Sequence, residues 1–470
     1  MAITEQNILA NLKTYYKDGV ENLLWRNSPV LKKIGKTKVE GKEYRFSAIY
    51  GAGGAVSSKA TLAAAKAANN AKNAEFICTY GQRFSIFTYN AQEILASKTK
   101  KGAYMKSTGR KAFAAAEALR KVLASDFYGR GYGEMGVLDA TAAATIAAAS
   151  SGDVVITVSK DLATKLAVDM DVVLKTSVSS GTENGVFTVK AKNGTSITLT
   201  VVTAYASAAA GNVVCLRGSM DGSGNRNAPV GLDGWLPIVE ARDNAGSVWP
   251  SFIATPFMGV NRSVDVQALA GQFVYNTNNT TKKADIEELM QNLRDAGSEA
   301  DLIAMNPQDW RALADEIQST NTYFTQTSTR AKRSANIGLD KLSASFSTNF
   351  IDLIYDDPYC PMGKFYILET EDVQFFAMTN GEAILDDKVA GNNPGTQNPE
   401  EFNNKGNEDD PYKLLIDDFI SIAPGSQTDD GDATRVTYNV FGTYVLLNQA
   451  HSGCGIFHDY TAANVLGYTA

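Results

Sequence analysis

The side chains able to do chemistry are few and widely spaced. Histidine occurs twice in the 470 residues, as His451 and His458. An HExxH helix and a three-histidine zinc site are therefore excluded. A Ser-His-Asp triad would have to take its base from the last twenty residues, and no GxSxG element presents a nucleophile. Either histidine could bind a metal only with help from distant parts of the chain, so a surface or interface position is the simpler reading. Cys78, Cys215, Cys360 and Cys454 lie far apart without paired spacing, which reads as reduced, mostly buried thiols. Gly131, Gly133 and Gly136 in GYGEMG match GxGxxG, but that fingerprint needs a strand before it and a helix after it. Here a helical pattern precedes, so the glycines read as a helix-ending turn. The stretch GAGGAVSSK lacks the GxxxxGK[ST] spacing of a phosphate loop. Asp221, Ser223, Asn225 and Asn227 fall on the odd positions of a calcium loop, but Arg226 replaces the required glycine and the closing Glu is missing. Asp429, Asp430 and Asp432 read as a solvated acidic loop. No catalytic, cofactor-binding or metal-binding residue is assigned and no cofactor is expected. A carboxylate-only enzyme stays open, because Asp and Glu number 51.

The elements that would position such groups form an unusual order. Residues 1–35 have too little apolar surface to fold alone and read as an arm. Residues 36–50 alternate, with Tyr44, Phe46, Ala48 and Tyr50 on one face, and residues 74–88 alternate again; period two means strands. Between them lies a stretch rich in Gly, Ala, Asn and Lys, with little to bury. The pair reads as a long hairpin with a mobile tip, in need of support from outside itself. Residues 104–128 carry Phe113, Ala116, Leu119, Leu123 and Phe127 at spacings of three and four, which predicts a helix of about 36 Å. Five short β-runs follow in residues 139–218, with Asn184-Gly185 and Asn193-Gly194 as hairpin signals. They predict a small barrel or sandwich inserted in a larger body. Beyond it, Ile286, Leu289, Met290 and Leu293 mark a helix closed by Gly297, and DLIAM reads as a buried strand. Asn306 and Pro307 then open a further helix. Strands are expected at 350–355, 364–369, 373–377 and 435–447, and residues 386–432 read as a polar surface excursion.

Hydrophobic residues make up 44% and charged residues 20% of the chain, an ordinary globular balance that rules out a wholly disordered protein. No run approaches the ~20 apolar residues of a membrane helix. The N-terminal stretch lacks a signal-peptide core, so a cytosolic origin is expected. The net charge of -7 is unevenly spread. Residues 1–130 hold 22 Lys and Arg against 9 Asp and Glu, a balance of +13, while the other 340 hold 22 against 42, a balance of -20. Either these are solvated faces, or one face meets a polyanion or an acidic partner.

Arm, long hairpin, long helix, mixed domain and terminal strand, in that order, resemble the major capsid proteins of tailed bacteriophages. The strand–Asn–Pro–helix run DLIAMNPQDWRALADEI (301–317) and the ending VFGTYVLLNQAHSGCGIF (440–457) are similar to segments of that family. The resemblance implies an α+β Hong Kong 97-like capsid fold with an N-terminal arm, an extended hairpin loop, a long spine helix and an inserted all-β domain. It divides the chain into an arm (1–35), an extended loop (36–90, tip 49–73) and a peripheral domain with the spine helix (91–138, helix 104–128). An inserted β-barrel-like domain (139–218), a central axial domain (219–349) and return strands with an acidic excursion and axial contributions (350–470) complete it. An insertion of this kind is common among relatives from short-tailed phages.

The same resemblance implies a structural protein that assembles with itself, as hexamers and pentamers, into an icosahedral shell around double-stranded DNA. It places the chain in the virion, assembled in the bacterial host cytoplasm, and not on a membrane. A separate scaffolding protein, a portal and decoration proteins are the other partners implied. Lys111, Arg120 and Lys121 are the candidate lumenal, DNA-facing residues, and Lys59, Lys66 and Lys72 the candidate inter-subunit residues at the loop tip. The family's lysine–asparagine cross-link has no identifiable asparagine or carboxylate partner here. An encapsulin-like shell or another virion component remains an alternative.

Overall fold

A computed structural model describes residues 28–31, 33–39, 41–51, 58, 59, 61, 72–90, 107–178, 182–220, 225–238, 256–320, 353–377, 421–427 and 433–460. Two compact units make up the chain. One comprises residues 1–26, 84–120 and 381–439; the other comprises residues 27–83, 121–380 and 440–470.

In chain order the strands are β1 (Gly35–Lys38), β2 (Glu43–Gly51), β3 (Lys72–Thr79), β4 (Gly81–Asn90), β5 (Glu134–Val137), β6 (Gly152–Thr157), β7 (Asp171–Lys175), β8 (Asn184–Asn193) and β9 (Ser196–Thr203). They continue as β10 (Val213–Leu216), β11 (Gln272–Tyr275), β12 (Leu302–Met305), β13 (Leu353–Asp356), β14 (Lys364–Leu368), β15 (Val373–Ala377), β16 (Ser421–Gln427), β17 (Ala433–Leu446) and β18 (Gly453–Ile456). The helices are α1 (Ser107–Asp126), α2 (Ala140–Ala148), α3 (Lys160–Lys165), α4 (Leu232–Trp235), α5 (Val266–Ala270), α6 (Lys282–Asp295) and α7 (Pro307–Thr320). The division between units falls inside β4, α1 and β17.

The larger unit holds the main core. Its central sheet runs β11-β18-β14-β12-β13. Every residue of β12 and β14 is buried, as expected of strands covered on both faces. Helix α6 covers this sheet with Ile286, Leu289, Met290 and Leu293, which cluster with Ile303, Met305, Phe365, Ile367 and Phe457. Thr281 caps α6 by accepting from the Ala284 amide at 3.2 Å. At its other end Gly297 adopts φ +83, and its amide and that of Ser298 close on the carbonyls of Arg294 and Leu293, a Schellman-type stop. Asn306 accepts from the Gln308 amide at 3.0 Å, and Pro307 is the first residue of α7. The sheet combines strands from both sides of residue 349, because β13 runs parallel to β12 from Leu302↔Leu353 to Met305↔Asp356. A second sheet sets β1 parallel to β15 and β15 antiparallel to the end of β17, from Val373↔Leu446 to Ala377↔Gly442.

Residues 134–216 form a six-stranded sheet in the order β5-β10-β7-β8-β9-β6. Val154 and Ile156, Phe187 and Val189, and Ile197 and Leu199, at alternate positions of their strands, face one shared core. Gly194 and Thr195 join β8 to β9 through the Asn193↔Ser196 pair, with Gly194 at φ +61. Four expectations are corrected here. The segment is not all-β, because α2 and α3 lie within it, capped by Asp139 and Ser159. Ala142, Ala143 and Ile146 of α2 enter the same core. The strand path is open rather than a closed barrel, and it begins at Glu134 rather than 139. Asn184-Gly185 opens β8, opposite Leu174, instead of making a two-residue turn.

In the smaller unit, β16 pairs antiparallel with the first half of β17, from Ser421↔Asn439 to Gln427↔Thr434. A strand thus stands where a surface excursion was expected. The irregularity between Ala423 and Ser426 spans Pro424, which has no amide to give the ladder. Ser85 donates to the Ala115 carbonyl of α1 at 2.9 Å. Residues 1–27 of the expected arm, 386–420 of the excursion, the Asp221 position of the calcium-like loop and Asp429, Asp430 and Asp432 lie outside the described residues.

Candidate functional site: the assembly hairpin and its charged neighbours

The hairpin of β2 and β3 runs antiparallel from Glu43↔Thr79 to Gly51↔Lys72, with a register shift near Ile49. Its two faces differ sharply. On β3, Ala74, Phe76 and Cys78 are buried. Phe76 stacks on Phe46 at 5.2 Å and meets Trp235 at 5.5 Å, while Tyr44 stacks on Phe376 at 4.3 Å. Trp235 is itself fixed by its indole N–H, which donates to the Tyr444 carbonyl at 2.8 Å. The support that the alternating sequence demanded thus comes, for this face, from the chain's own body. Nothing in the local sequence of β2 and β3 pointed to Trp235 or Phe376, which are remote in sequence.

The opposite face is open. Arg45 pairs with Glu43 and, at 3.5 Å, with Glu75, an exposed cluster worth little energetically. Ile49 is 70% exposed. Among the described residues, no further strand continues this two-stranded sheet beyond β2, so β2 presents a free edge, the kind of surface that pairs with another chain. Lys59 and Lys72 are exposed near the tip, and Lys66 lies outside the described residues.

Of the basic residues singled out on the helix, Lys111 lies on α1 with its side chain outside the described residues, and Arg120 and Lys121 are half-buried rather than fully open. Lys121 stands close enough to Lys192 of β8 for its charge to help lower that ammonium's pKa, behind the larger effect of burial. Leu119, Leu123 and Phe127 form the expected buried stripe.

Part of the basic excess of the first 130 residues is internal, which sequence reasoning missed. Arg83 grips Asp126 with two bonds of 2.7 Å and donates to Ser219 at 3.0 Å, all buried. Arg130 is buried beside Asp233 and Glu134. Lys364 and Tyr366 converge on Asp233, at 2.5 and 2.6 Å. Burial and the neighbouring Asp233 charge hold the Tyr366 phenol well above its usual range. Tyr128 and Ser28 both donate to Asp357, so the last residues of the expected arm are tied to the body. Among the described residues these charged side chains are buried and bonded inside the body.

The glycine-rich turn after α1 also closes on itself. Gly131 and Gly133 take φ +90 and +66, and the amides of Arg130 and Tyr132 are both bound by the Glu134 carboxylate. The turn follows a helix and precedes β5, the reverse of the strand-then-helix order a dinucleotide fingerprint needs. Cys78, Cys215, Cys360 and Cys454 are free and buried, and desolvation pushes the thiols of Cys78 and Cys215 up to about 12. Among the described residues, no helix is long and apolar enough to cross a membrane.

No protein-family model and no curated protein matches the chain. Solved structures do. The capsid asymmetric unit of cyanophage A-1(L) aligns with a TM-score of 0.54 at 13% identity, over 97% of this chain and 99% of that one. The holo-SrpI encapsulin complex of Synechococcus elongatus PCC 7942 aligns at 0.43 and 9% identity, over 98% of each chain. The capsid of a native GTA particle aligns at 0.45 and 6%, over 95% and 96%. The first of these shows that the chain, with its several sheets and mixed α and β elements, shares the fold of a phage capsid chain.

Proposed function

We propose that this chain is a structural shell subunit, the major capsid protein of a tailed phage, which assembles with copies of itself as hexamers and pentamers around double-stranded DNA. One observation carries the proposal: the likeness to the capsid unit of cyanophage A-1(L) spans nearly all of both chains. In this reading residues 1–35 are the arm, residues 36–90 the extended loop, α1 the spine helix and residues 139–218 an insertion. Residues 219–349 form the axial domain, and residues 350–470 return to the periphery while contributing strands to it. The free edge of β2 and the exposed Ile49 support an inter-subunit role for the hairpin, because a neighbour would bury both. Lys59, Lys66 and Lys72 then lie at that contact. Lys111, Arg120 and Lys121 face the lumen, where modest dispersed charge tolerates DNA without holding it fast. Scaffolding, portal and decoration proteins are the remaining partners of such a shell.

Deleting residues 52–71 tests the hairpin's part in this. The deletion removes the tip and leaves the Phe46, Phe76 and Trp235 contacts in place. Gradient sedimentation should show the full chain in fast-sedimenting particles and the shortened chain as soluble, folded, slow-sedimenting protein. Normal particles from the shortened chain would remove the tip from the assembly mechanism.

A further inference from the structure

A cluster with a different chemistry lies where β14 turns into β15. Glu369 and Asp372 bracket that turn, and the Asp372 amide closes it on the Glu369 carbonyl at 3.2 Å. His451 comes from the short helical turn Gln449–His451, just before β18. The imidazole Nδ1 stands 3.2 Å from Glu369 Oε2 and 3.9 Å from Asp372 Oδ2, and the three atoms all lie within 4.8 Å of one another.

Two features set this group apart from an ordinary ion pair. Glu369 Oε2 and Asp372 Oδ2 are shielded from solvent, yet neither has a hydrogen-bond partner among the described residues. Buried carboxylate oxygens without a donor are costly. The ring N–H direction does not serve Glu369 either, although Nδ1 is near enough. The charge is also unbalanced. The Glu369 and Asp372 carboxylates together face one imidazole.

The residues are held from behind. Ser298 donates to the His451 carbonyl at 2.7 Å, the Leu447 amide to the Asp372 carbonyl at 2.9 Å, and the Glu369 amide to Ser452 at 3.4 Å. Around a tetrahedral ion with ligands at ~2.1 Å, donor atoms sit roughly 3.4 Å apart. The two histidine distances bracket that value, and rotation of the half-buried carboxylates closes the third side.

We infer that Glu369, Asp372 and His451 form a divalent transition-metal site of the zinc or manganese class, with its remaining position open to water. An imidazole with two carboxylates suits those ions better than calcium or magnesium, which take oxygen ligands. The bound ion would clip the β14–β15 turn to the segment between β17 and β18, where the chain passes between the sheet of β14 and β18 and that of β15 and β17. The site stands on its own geometry and does not depend on the shell reading.

The test uses the full chain stripped with a chelator, then titrated with zinc chloride and, separately, manganese chloride. Calorimetry and native mass spectrometry should give one ion per chain and a higher unfolding temperature. Asp372→Asn and His451→Gln should each weaken binding at least tenfold and abolish the thermal shift. Asp372→Asn separates a metal site from a merely structural turn: with like-charge repulsion relieved, its metal-free form should unfold no lower than the metal-free parent, while losing the response to metal. Should His451→Gln fail to fold, Asp372→Asn alone decides. Absence of binding near equimolar metal, or an undiminished response in Asp372→Asn, would overturn the assignment.

Discussion

Arg83 shows how little of this chain's charge can be placed by counting. It belongs to the basic first quarter, yet its side chain and that of Asp126 are both more than nine-tenths buried and bonded at 2.7 Å. Two ions taken out of water recover their desolvation cost only through such paired geometry, and removal of one partner strands the other. Arg83→Met keeps the volume and leaves Asp126 without its partner. It should cost about 3–5 kcal/mol in denaturant unfolding, and the double variant Arg83→Met, Asp126→Leu should recover most of the loss. A loss below about 1 kcal/mol, the range of an exposed pair, would mean that water reaches the site. The same logic applies at Asp233, where Lys364 and Tyr366 meet inside the core. None of these pairings is visible in local sequence, because partners such as Asp233 and Lys364 are 131 residues apart.

Elements were far more legible than pairings, and the reason is local physics. The helix stop at Gly297, the Asn306-Pro307 start and the bounds of β15 follow from caps and alternation within a few residues. Five of the module's six strands were legible as short apolar runs between turn residues, but β5 and α2 were not. An alanine-rich run has no apolar stripe to betray its period; only Asp139, whose side chain accepts from the Ala142 amide at 2.7 Å, marks its start. β16 escaped notice because Pro424 and Gly425 argue against a strand, and pairing with β17 overrides them. The hairpin was legible as β2 and β3, but each alternating run divides: 36–50 into β1 and β2, and 74–88 into β3 and β4, with β1 joining β15 and β4 joining β17. The cover for the hairpin's aromatic face was sought outside the chain and lies on Trp235 and Phe376. The module has a core of its own from Met135 to Val214. Expressed alone as residues 134–218, it should therefore give dispersed amide signals with sheet-like shifts and helical shifts over 140–148. A collapsed spectrum would show that its folding depends on the body, through contacts such as that of Asp161 with the Met362 backbone.

For the whole molecule, one feature of the sequence and one of the structure point the same way. Chemistry-bearing residues are scarce, and among the described residues buried pairs such as Arg83–Asp126 and Lys364–Asp233 lie inside the body, while the outer edge of β2 and the exposed Ile49 have no described cover. A subunit made for association has this distribution. The balance of +13 in the first 130 residues against -20 in the rest would then serve contacts between copies as well as the genome. Charge is screened beyond ~8 Å at physiological salt, so only surfaces that closely approach one another or the DNA gain from it. The deciding measurement is an electron cryo-microscopy reconstruction of the full chain purified from the cells that produce it. The account predicts closed icosahedral shells in which residues 43–79 of each subunit lie on a neighbour and Arg120 and Lys121 line the interior. A chain that stays monomeric, or forms small oligomers with the hairpin edge exposed, under conditions where it is folded and soluble would contradict it.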